Sequence, residues 1–482
     1  MRRLTLAALV AFAAAPLAAQ DAKQLITDHV MSHASEYEDL AMEIWDLAEV
    51  GYQEHRSSQL LQSRLAEAGF DVTPGVADIP TAFTASYGSG EPVIAILAEF
   101  DALPGITQDR TAERNPIDTK SAGHACGHHL FGTGSTAAAL AVRDFLERTG
   151  QEGTIRHYGT PAEEGGGGKI YMVRAGLFDD VDIVLHWHAG DYNMADAVSS
   201  LANISTKFRF RGISAHAAGA PERGRSALDG VEAMNHMVNL MREHVPEATR
   251  MHYVTTYGGA APNVVPDFTE VYHYVRHPDA AVVRELFERL VDTAEGAALG
   301  TETQMEYEII NGVYNLLPNV TLAQVIHANL TTVGGVEYTD EEMRFAEVIR
   351  ESLPEDARPM SAASEVKPFA APTGARRGGG STDVGDVSWA VPTAGLRAAT
   401  WVPGTSSHSW QAVAAGGTSI GTKGMLVAAK TIAMSAVDLF MNPDLIRQAR
   451  AEFDEKRGPN YQHISLVGDR PPPLDYRANP GN

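Results

Sequence analysis

The sequence predicts a two-domain protein: an α/β domain with a mixed sheet, interrupted by an inserted ferredoxin-like α+β domain. Three observations carry this. The chain has 482 residues, more than one hydrophobic core usually serves, so two domains are the expectation. Pro92-Val93-Ile94-Ala95-Ile96-Leu97-Ala98 is a continuous apolar run, as expected of a strand covered on both faces. Residues 205–315 read as strand, helix, two strands, helix and strand, the order of a split βαβ unit.

The chain opens with Arg2 and Arg3, an apolar run from Leu4 to Leu17, and then Ala18-Ala19-Gln20. That is the charged, apolar, small-residue order of a secretory signal peptide over residues 1–19. The run is too short for a stable membrane span, and no cysteine follows it to take a lipid anchor. Cleavage near Ala19 and export to a bacterial-type periplasm are expected. A buried apolar first helix is the competing reading, but globular domains seldom open so uniformly. The formal charge is −23. Losing two arginines from 38 basic residues leaves 36 against 61 acidic ones, a charge of −25. Such acidity argues against nucleic acid and anionic membrane as partners.

Residues 20–204 form the first part of the larger domain. Residues 35–69 read as helical, with Leu60, Leu61 and Leu65 on one face and Gly69 as a stop. Thr136 to Leu146 is an Ala-rich helix, and Thr154–Tyr158 and Val181–Leu185 are short strands. Strands alternating with helices indicate an α/β sheet, which places its chemistry on loops leaving strand ends. In the insertion, Lys207–Arg211 alternates with Phe208 and Phe210 on one face. A helix over 225–243, strands near 251–257 and 268–276, a helix near 280–298 and a strand near 302–311 follow. The larger domain resumes around 318, within a second part spanning 316–482. Residues 336–380 read as polar and irregular. The tail from 458, with Pro471-Pro472-Pro473 and Pro480, reads as extended.

The chemistry concentrates in His124-Ala125-Cys126-Gly127-His128-His129, which holds the only cysteine of the chain. A sole thiol cannot form an intramolecular disulfide, whereas thiolate and neutral imidazole are ligands that zinc and similar ions prefer. Taken alone, a lone cysteine is a small buried hydrophobe and a lone histidine a hydrogen-bonded core residue. Their density here favours metal. Gly159-Thr160-Pro161-Ala162-Glu163-Glu164-Gly165 ends a strand with adjacent carboxylates on an irregular turn, so that both can reach one site. One could bind metal while the other serves as general base. Leu185-His186-Trp187-His188 lies at a strand end, and Ser406-Ser407-His408-Ser409-Trp410 places a histidine on a loop.

Together these stretches resemble the aminoacylase and carboxypeptidase G family of two-metal amidohydrolases, in the branch of indole-acetyl-amino-acid hydrolases. The markers are AEFDALPG (98–105), GHACGHHLFGTGS (123–135), GTPAEEGGGG (159–168), HWHAGDYN (186–193), ISAHAAGAPERGRSALDG (213–230), APNVVPD (261–267), GGSTDVGDVSW (379–389) and SSHSWQ (406–411). The resemblance implies a metallopeptidase-type catalytic domain, an inserted dimerisation domain and two divalent metal ions, zinc or manganese. Cys126 and His128 match loop ligands, Glu164 the ligand glutamate, His188 the fourth ligand and His408 the last. Glu163 matches the general base, and His186, two residues early, reads as structural. Cys126 stands where relatives outside the branch have a bridging aspartate, which implies a bridging thiolate. Asp101 matches an acid that orients a ligand. His216 matches a histidine that reaches a partner subunit's site and stabilises the oxyanion. Asn263 and Arg276 match groups holding the substrate's carbonyl and carboxylate. His129 departs from the pattern, standing where many hydrolases of the branch have aspartate.

The implied substrate is an N-acyl or N-aroyl amino acid such as aminobenzoyl-glutamate. The implied assembly is a homodimer, or a pairing with a homologous second subunit. An aminoacylase or dipeptidase of different acyl preference is the nearest alternative. The chemistry fits without the family: paired ions can bind and acidify a water, and Glu163 can carry its proton to the departing nitrogen. His216 would act where charge develops on the carbonyl oxygen, worth roughly 3–4 kcal/mol per donor in other enzymes. Arg276 could fork onto a free carboxylate. Gly417-Thr418-Ser419-Ile420-Gly421 matches the pattern of serine hydrolases, but a poor apolar strand precedes it. Gly132-Thr133-Gly134-Ser135-Thr136-Ala137 mimics a dinucleotide fingerprint without the strand it needs, and Gly168-Lys169-Ile170 lacks the hydroxyl of a phosphate loop. A periplasmic metal or solute carrier is the non-enzyme reading, yet a carrier has no need of Glu163 beside Glu164.

Overall fold

The computed structural model describes residues 19–370 and 380–477. The signal run from Arg2 to Leu17, the end of the 336–380 stretch and Pro480 lie outside the described residues. The chain enters through three helices, α1 (Ala19–Ser32), α2 (Ala34–Leu47) and α3 (His55–Glu67). The single helix expected over 35–69 is therefore two. Ala48 leaves α2 in left-handed backbone at φ 45°, and Tyr52 at φ 63° turns the chain before α3. Between them Gly51 packs so closely that a Cβ there would lie 2.8 Å from Tyr476 Oη and 3.0 Å from Ala162.

Strands β1 (Asp71–Pro74), β2 (Phe83–Ser89) and β3 (Val93–Ala98) come next, then the short β4 (Leu103–Pro104) and β5 (Ala122–Gly123). Helix α4 (His128–Thr149), β6 (Gly153–Gly159), α5 (Gly168–Arg174), β7 (Ile183–Gly190) and β8 (Met194–Asp196) complete the first part. A second sheet is built from β9 (Ala202–Arg211), β10 (Arg250–Tyr257), β11 (Phe268–His277) and β12 (Gln304–Val313), with α6 (Ala227–Met241) and α7 (Ala280–Thr301) between them. The chain then returns through α8 (Val320–Val333), α9 (Asp340–Glu351), α10 (Val384–Ala390), β13 (Thr393–Ala399), α11 (Trp410–Gly416), α12 (Ser419–Met441) and α13 (Pro443–Arg457).

The large sheet has the order β1-β2-β6-β3-β7-β13-β8. Strands β6, β3, β7 and β13 are parallel, while β2 and β8 run against their neighbours, so the sheet is mixed as expected. All six residues of β3 are buried, since helices cover both faces of a parallel sheet. Removing Ile94, Ile96 and Leu97 from water contributes about 1.5–3 kcal/mol each. Helix α12 is long and apolar enough to cross a membrane, yet most of it is buried against the sheet and α4. The small sheet is antiparallel with order β10-β11-β9-β12. Its helices pack on one face over Phe208 and Phe210 of β9, forming a second hydrophobic core.

Residues 336–370, the described part of this stretch, are less irregular than expected. Thr339 and Glu342 form a capping box that starts α9. Its buried face is thin, Ala346 and Ile349 beyond the capping Glu342, which is why periodicity alone left the helix unread.

Candidate metal centre and active site

The candidate functional side chains gather at the C-terminal ends of the parallel strands, where an open α/β sheet leaves a crevice. Beyond β3 come Glu99 and Asp101; beyond β6, Glu163 and Glu164; beyond β13, the loop of His408. His188 lies within β7, because that strand runs to Gly190 rather than ending at Leu185. Cys126 precedes α4, and His128 is its first residue. Gly127 lets these loops meet. Its φ is 76°, and a Cβ there would lie 2.5 Å from that of Ala189. His408 sits in left-handed backbone at φ 60°, a conformation kept only where surroundings enforce it. Its N–H donates to the carbonyl of Ala125 at 2.9 Å, tying the two ligand loops together.

Three donor sets result among the described residues: two contain Cys126, and the third brings together Glu99, His128 and Glu163. Donor atoms of Cys126, His128 and His188 lie within 4.8 Å of one another, as do those of Cys126, Glu164 and His408. Sγ of Cys126 is 3.5 Å from Nε2 of His188, and Nε2 of His408 is 3.0 Å from Oε1 of Glu164. The hydrogen bonds on the far sides of the rings fix their tautomers. Nδ1 of His128 faces Oδ1 of Asp101 at 2.9 Å, and Nδ1 of His188 faces the Ala189 carbonyl at 2.7 Å. Those oxygens only accept, so each Nδ1 carries the proton and each Nε2 lone pair points inward.

The residues present fit a pair of cations. Nε2 of His128, Oε2 of Glu99 and Oε1 of Glu164 are buried without a hydrogen bond. Although His128 Nε2 and Glu99 Oε2 approach to 3.1 Å, they are not aligned to bond. Glu99, Asp101, Glu163, Glu164 and Asp383 crowd here against Lys169 and His128. Burial, then Glu99 and Glu164, push the carboxyl of Glu163 well above its ordinary range. Burial likewise raises the thiol of Cys126. Burial opposes charge on His128, but Cys126, Glu99 and Asp101 outweigh it and hold the imidazole up. Bound cations would reverse these tendencies, since they are the largest charges such a site can hold.

The sequence reading missed what lies beneath. The ammonium of Lys169, fully buried, is 2.7 Å from Oε1 of Glu99 and 2.7 Å from Oδ1 of Asp383. Burial disfavours its charge, but Asp383 and Glu99 more than compensate. Lys169 drew notice only as a failed phosphate loop, and Glu99 only as part of a motif. Asp101 lies in the same cluster, its Oδ2 accepting the N–H of Glu164 at 2.9 Å. His186 lines the cavity but belongs to none of the three donor sets. Nε2 of His129 faces the Gly416 carbonyl at 2.9 Å, away from the donors. The cavity over the donors holds about 260 Å³ and is lined by Glu163, Glu164, His188, His408, Phe131 and Arg397 among others.

His216, Asn263 and Arg276 are not among the described residues that line it. His216 is exposed, and its Nδ1 accepts from the N–H groups of Ala218 and Gly219 at 3.2 and 3.0 Å. That leaves its Nε2 edge outward. The N–H of Ala217 donates to the Asn263 carbonyl at 3.0 Å, so His216 and Asn263 share one edge of the small domain. This edge lies past Arg211, at the far end of β9 from Asn203, where the chain enters from the large domain. Ten strand residues separate the two ends by about 30 Å. Arg276 pairs with Asn203 at the near end; its guanidinium lies over the Tyr274 ring, and Nε is buried without a hydrogen bond.

The competing motifs dissolve in the fold. Ser419 begins α12 directly after α11, with no strand before it, and its hydroxyl donates to Glu342 at 2.6 Å. This is no nucleophile elbow, and the competing serine-hydrolase reading finds no support in the fold. Gly132 to Ala137 lies inside α4, so no glycine turn opens toward a dinucleotide.

With this geometry in place, comparison with known proteins gives a consistent result. The pattern of peptidase family M20/M25/M40 matches residues 95–409. The chain is 41% identical over 461 residues to the B subunit of p-aminobenzoyl-glutamate hydrolase from Escherichia coli (strain K12), covering 90% of this chain and 95% of that one. It is 29% identical to Xaa-Arg dipeptidase of Mus musculus, over 86% of this chain and 88% of the relative. A dinuclear metal-binding peptidase of the M20 family from Bacillus subtilis shares the fold with a TM-score of 0.58 at 17% identity, covering 85% of this chain and 99% of that structure. The chain belongs to the peptidase family M20/M25/M40.

Proposed function

We propose that this amide-cleaving hydrolase uses two divalent ions, sharing the Cys126 thiolate, to hydrolyse an N-acyl or N-aroyl amino acid such as aminobenzoyl-glutamate. The observation that carries the reading is that one thiol belongs to two of the three donor sets. Cys126, His128 and His188 would hold one ion, and Cys126, Glu164 and His408 the other. Bound there, the ions would supply Lewis acidity, polarising the amide carbonyl and making a water acidic. Glu163 takes the water's proton and returns it to the departing nitrogen. Thiolate and imidazole favour zinc, while the carboxylate also admits manganese.

His216 completes the site as a donor to the carbonyl oxygen, with Asn263 beside it. Its place on the far edge of the small domain supports delivery from a partner subunit, a second copy of this chain or a homologue. A relative whose name makes it one component of a larger hydrolase supports the second possibility. Arg276 takes the substrate's carboxylate. The order of Arg2, Arg3 and the apolar run to Leu17 supports export to a periplasm.

The test is hydrolysis of aminobenzoyl-glutamate, hippurate, indole-acetyl-aspartate and dipeptides that include Xaa-Arg, by protein stripped of metal and then reloaded with Mn²⁺ or Zn²⁺. Turnover of the aroyl-glutamate that vanishes on stripping and returns on reloading is expected. Exclusive turnover of Xaa-Arg would instead place the chain with the dipeptidases. Turnover indifferent to stripping would end the metal reading.

A further inference from the structure

Four consecutive glycines follow Glu164, from Gly165 to Gly168. Glycine gives the backbone the most freedom to lose, yet Glu164 must present its carboxylate to a metal within a fraction of an ångström. Something outside the loop has to hold it. On the N–H side the holder is Asp101, and one turn earlier Glu54 accepts from the Ala162 N–H at 2.8 Å. On the carbonyl side it is the C-terminal segment. The hydroxyl of Tyr476 donates to the Glu164 carbonyl at 3.0 Å, and the guanidinium of Arg477 donates to the same oxygen at 2.8 Å.

The path of that segment makes the contact more than a local tie. After α13 it crosses the small domain, where Leu466 packs so closely on Gly312 of β12 that a Cβ there would come within 2.8 Å. Arg470 donates to the carbonyls of Ile309 and Ile310 and to Glu308. The chain then returns to the large domain, where the Leu474 carbonyl accepts from Gln53 at 2.8 Å. The Tyr476 ring meets the edge of Tyr52, whose hydroxyl donates to the Gly166 carbonyl at 2.8 Å. Only five residues lie between Arg470 on the small domain and Tyr476 on the ligand loop. Gly51, where α2 and α3 part, is the residue that leaves room for the Tyr476 hydroxyl.

We propose that Tyr476 and Arg477 are positioning residues for the second metal ion, holding the peptide of Glu164 so that its carboxylate stays opposite His408. The inference rests on the two-ion reading above. It adds that the Cys126–Glu164–His408 set depends on the C-terminal segment, whereas the Cys126–His128–His188 set, anchored by α4 and β7, does not.

The experiment titrates metal-free full-length protein with Mn²⁺ against a chromophoric chelator and reads two binding steps. Tyr476→Phe removes a single oxygen, and Arg477→Met removes the guanidinium. In each variant, and more so in the double variant, the first step should keep the parent affinity while the second weakens about tenfold or more, the usual cost of losing a group that orients a ligand. Arg477→Lys should restore part of the loss, and the melting temperature of the metal-free protein should stay near the parent value. Both steps at parent affinity in Tyr476→Phe and in the double variant would overturn the proposal. So would both steps weakening together with a lowered melting temperature, because that marks a merely structural role. A parent protein with a single step would overturn the two-ion reading itself and this inference with it.

Discussion

His128 and Asp101 form the hinge of the site: Nδ1 of His128 donates to Oδ1 of Asp101 at 2.9 Å while the other oxygen of that carboxylate accepts the Glu164 N–H. One buried side chain thereby registers a candidate ligand from each of the two donor sets that contain Cys126. Burial alone would raise the carboxyl of Asp101, but His128 outweighs burial and holds it below its ordinary range. Asp101→Asn keeps the shape and weakens both contacts. Metal affinity should fall by about 10- to 100-fold, measured by chelator competition. An unchanged affinity would show that the ligands orient themselves.

Removing the thiol should cost ions directly. Cys126→Ala leaves two residues in each donor set that contains it, and we expect up to two divalent ions per chain in the parent and at least one fewer in the variant. Elemental analysis of the dialysed protein decides it, and an unchanged count would remove Cys126 from the ligand set.

The adjacent glutamates should separate by role. Glu163→Gln should retain metal and lose most turnover, because an amide cannot take the water's proton. Glu164→Gln should weaken metal binding itself. Equal loss of metal in both, or full activity in Glu163→Gln, would reverse or void the assignment.

Lys169 should matter to stability before it matters to turnover. Lys169→Met leaves Glu99 and Asp383 buried beside each other without their cation, a change that costs about 3–5 kcal/mol when a buried ion pair is broken from one side. Denaturant unfolding of the metal-free protein would measure it. The double variant Lys169→Met with Asp383→Leu should recover part of the loss, and no recovery would show that the ion cluster is not the cause.

His216→Ala should fold and keep its metals but lose roughly a hundredfold or more in kcat, as removal of an oxyanion donor does elsewhere. Co-expression with Glu163→Gln should restore partial activity, because one hybrid site then holds both intact residues. Proven hybrid dimers without activity would confine His216 to its own chain or to no catalytic role.

The sequence by itself determined most of the elements and the types of the candidate ligands. The apolar run through β3, the alternation of Phe208 and Phe210, and each single element of the βαββαβ order are set by local stretches of sequence, over which periodicity and turn chemistry act. The same holds for Cys126 between His124 and His128 and for Glu163 beside Glu164, since a short motif carries its own chemistry. The break between α2 and α3 was not legible, because Gly51 is placed by Tyr476 and Ala162, hundreds and scores of positions away. Only the tertiary structure decided that one thiol serves two donor sets, that Lys169 is paired with Glu99 and Asp383, and that Tyr476 and Arg477 end on the Glu164 carbonyl. Those contacts join residues 70, 214 and 312 or 313 positions apart. Their partners are chosen by the path of the sheet and the tail, and nothing in the local sequence encodes a separation of that length.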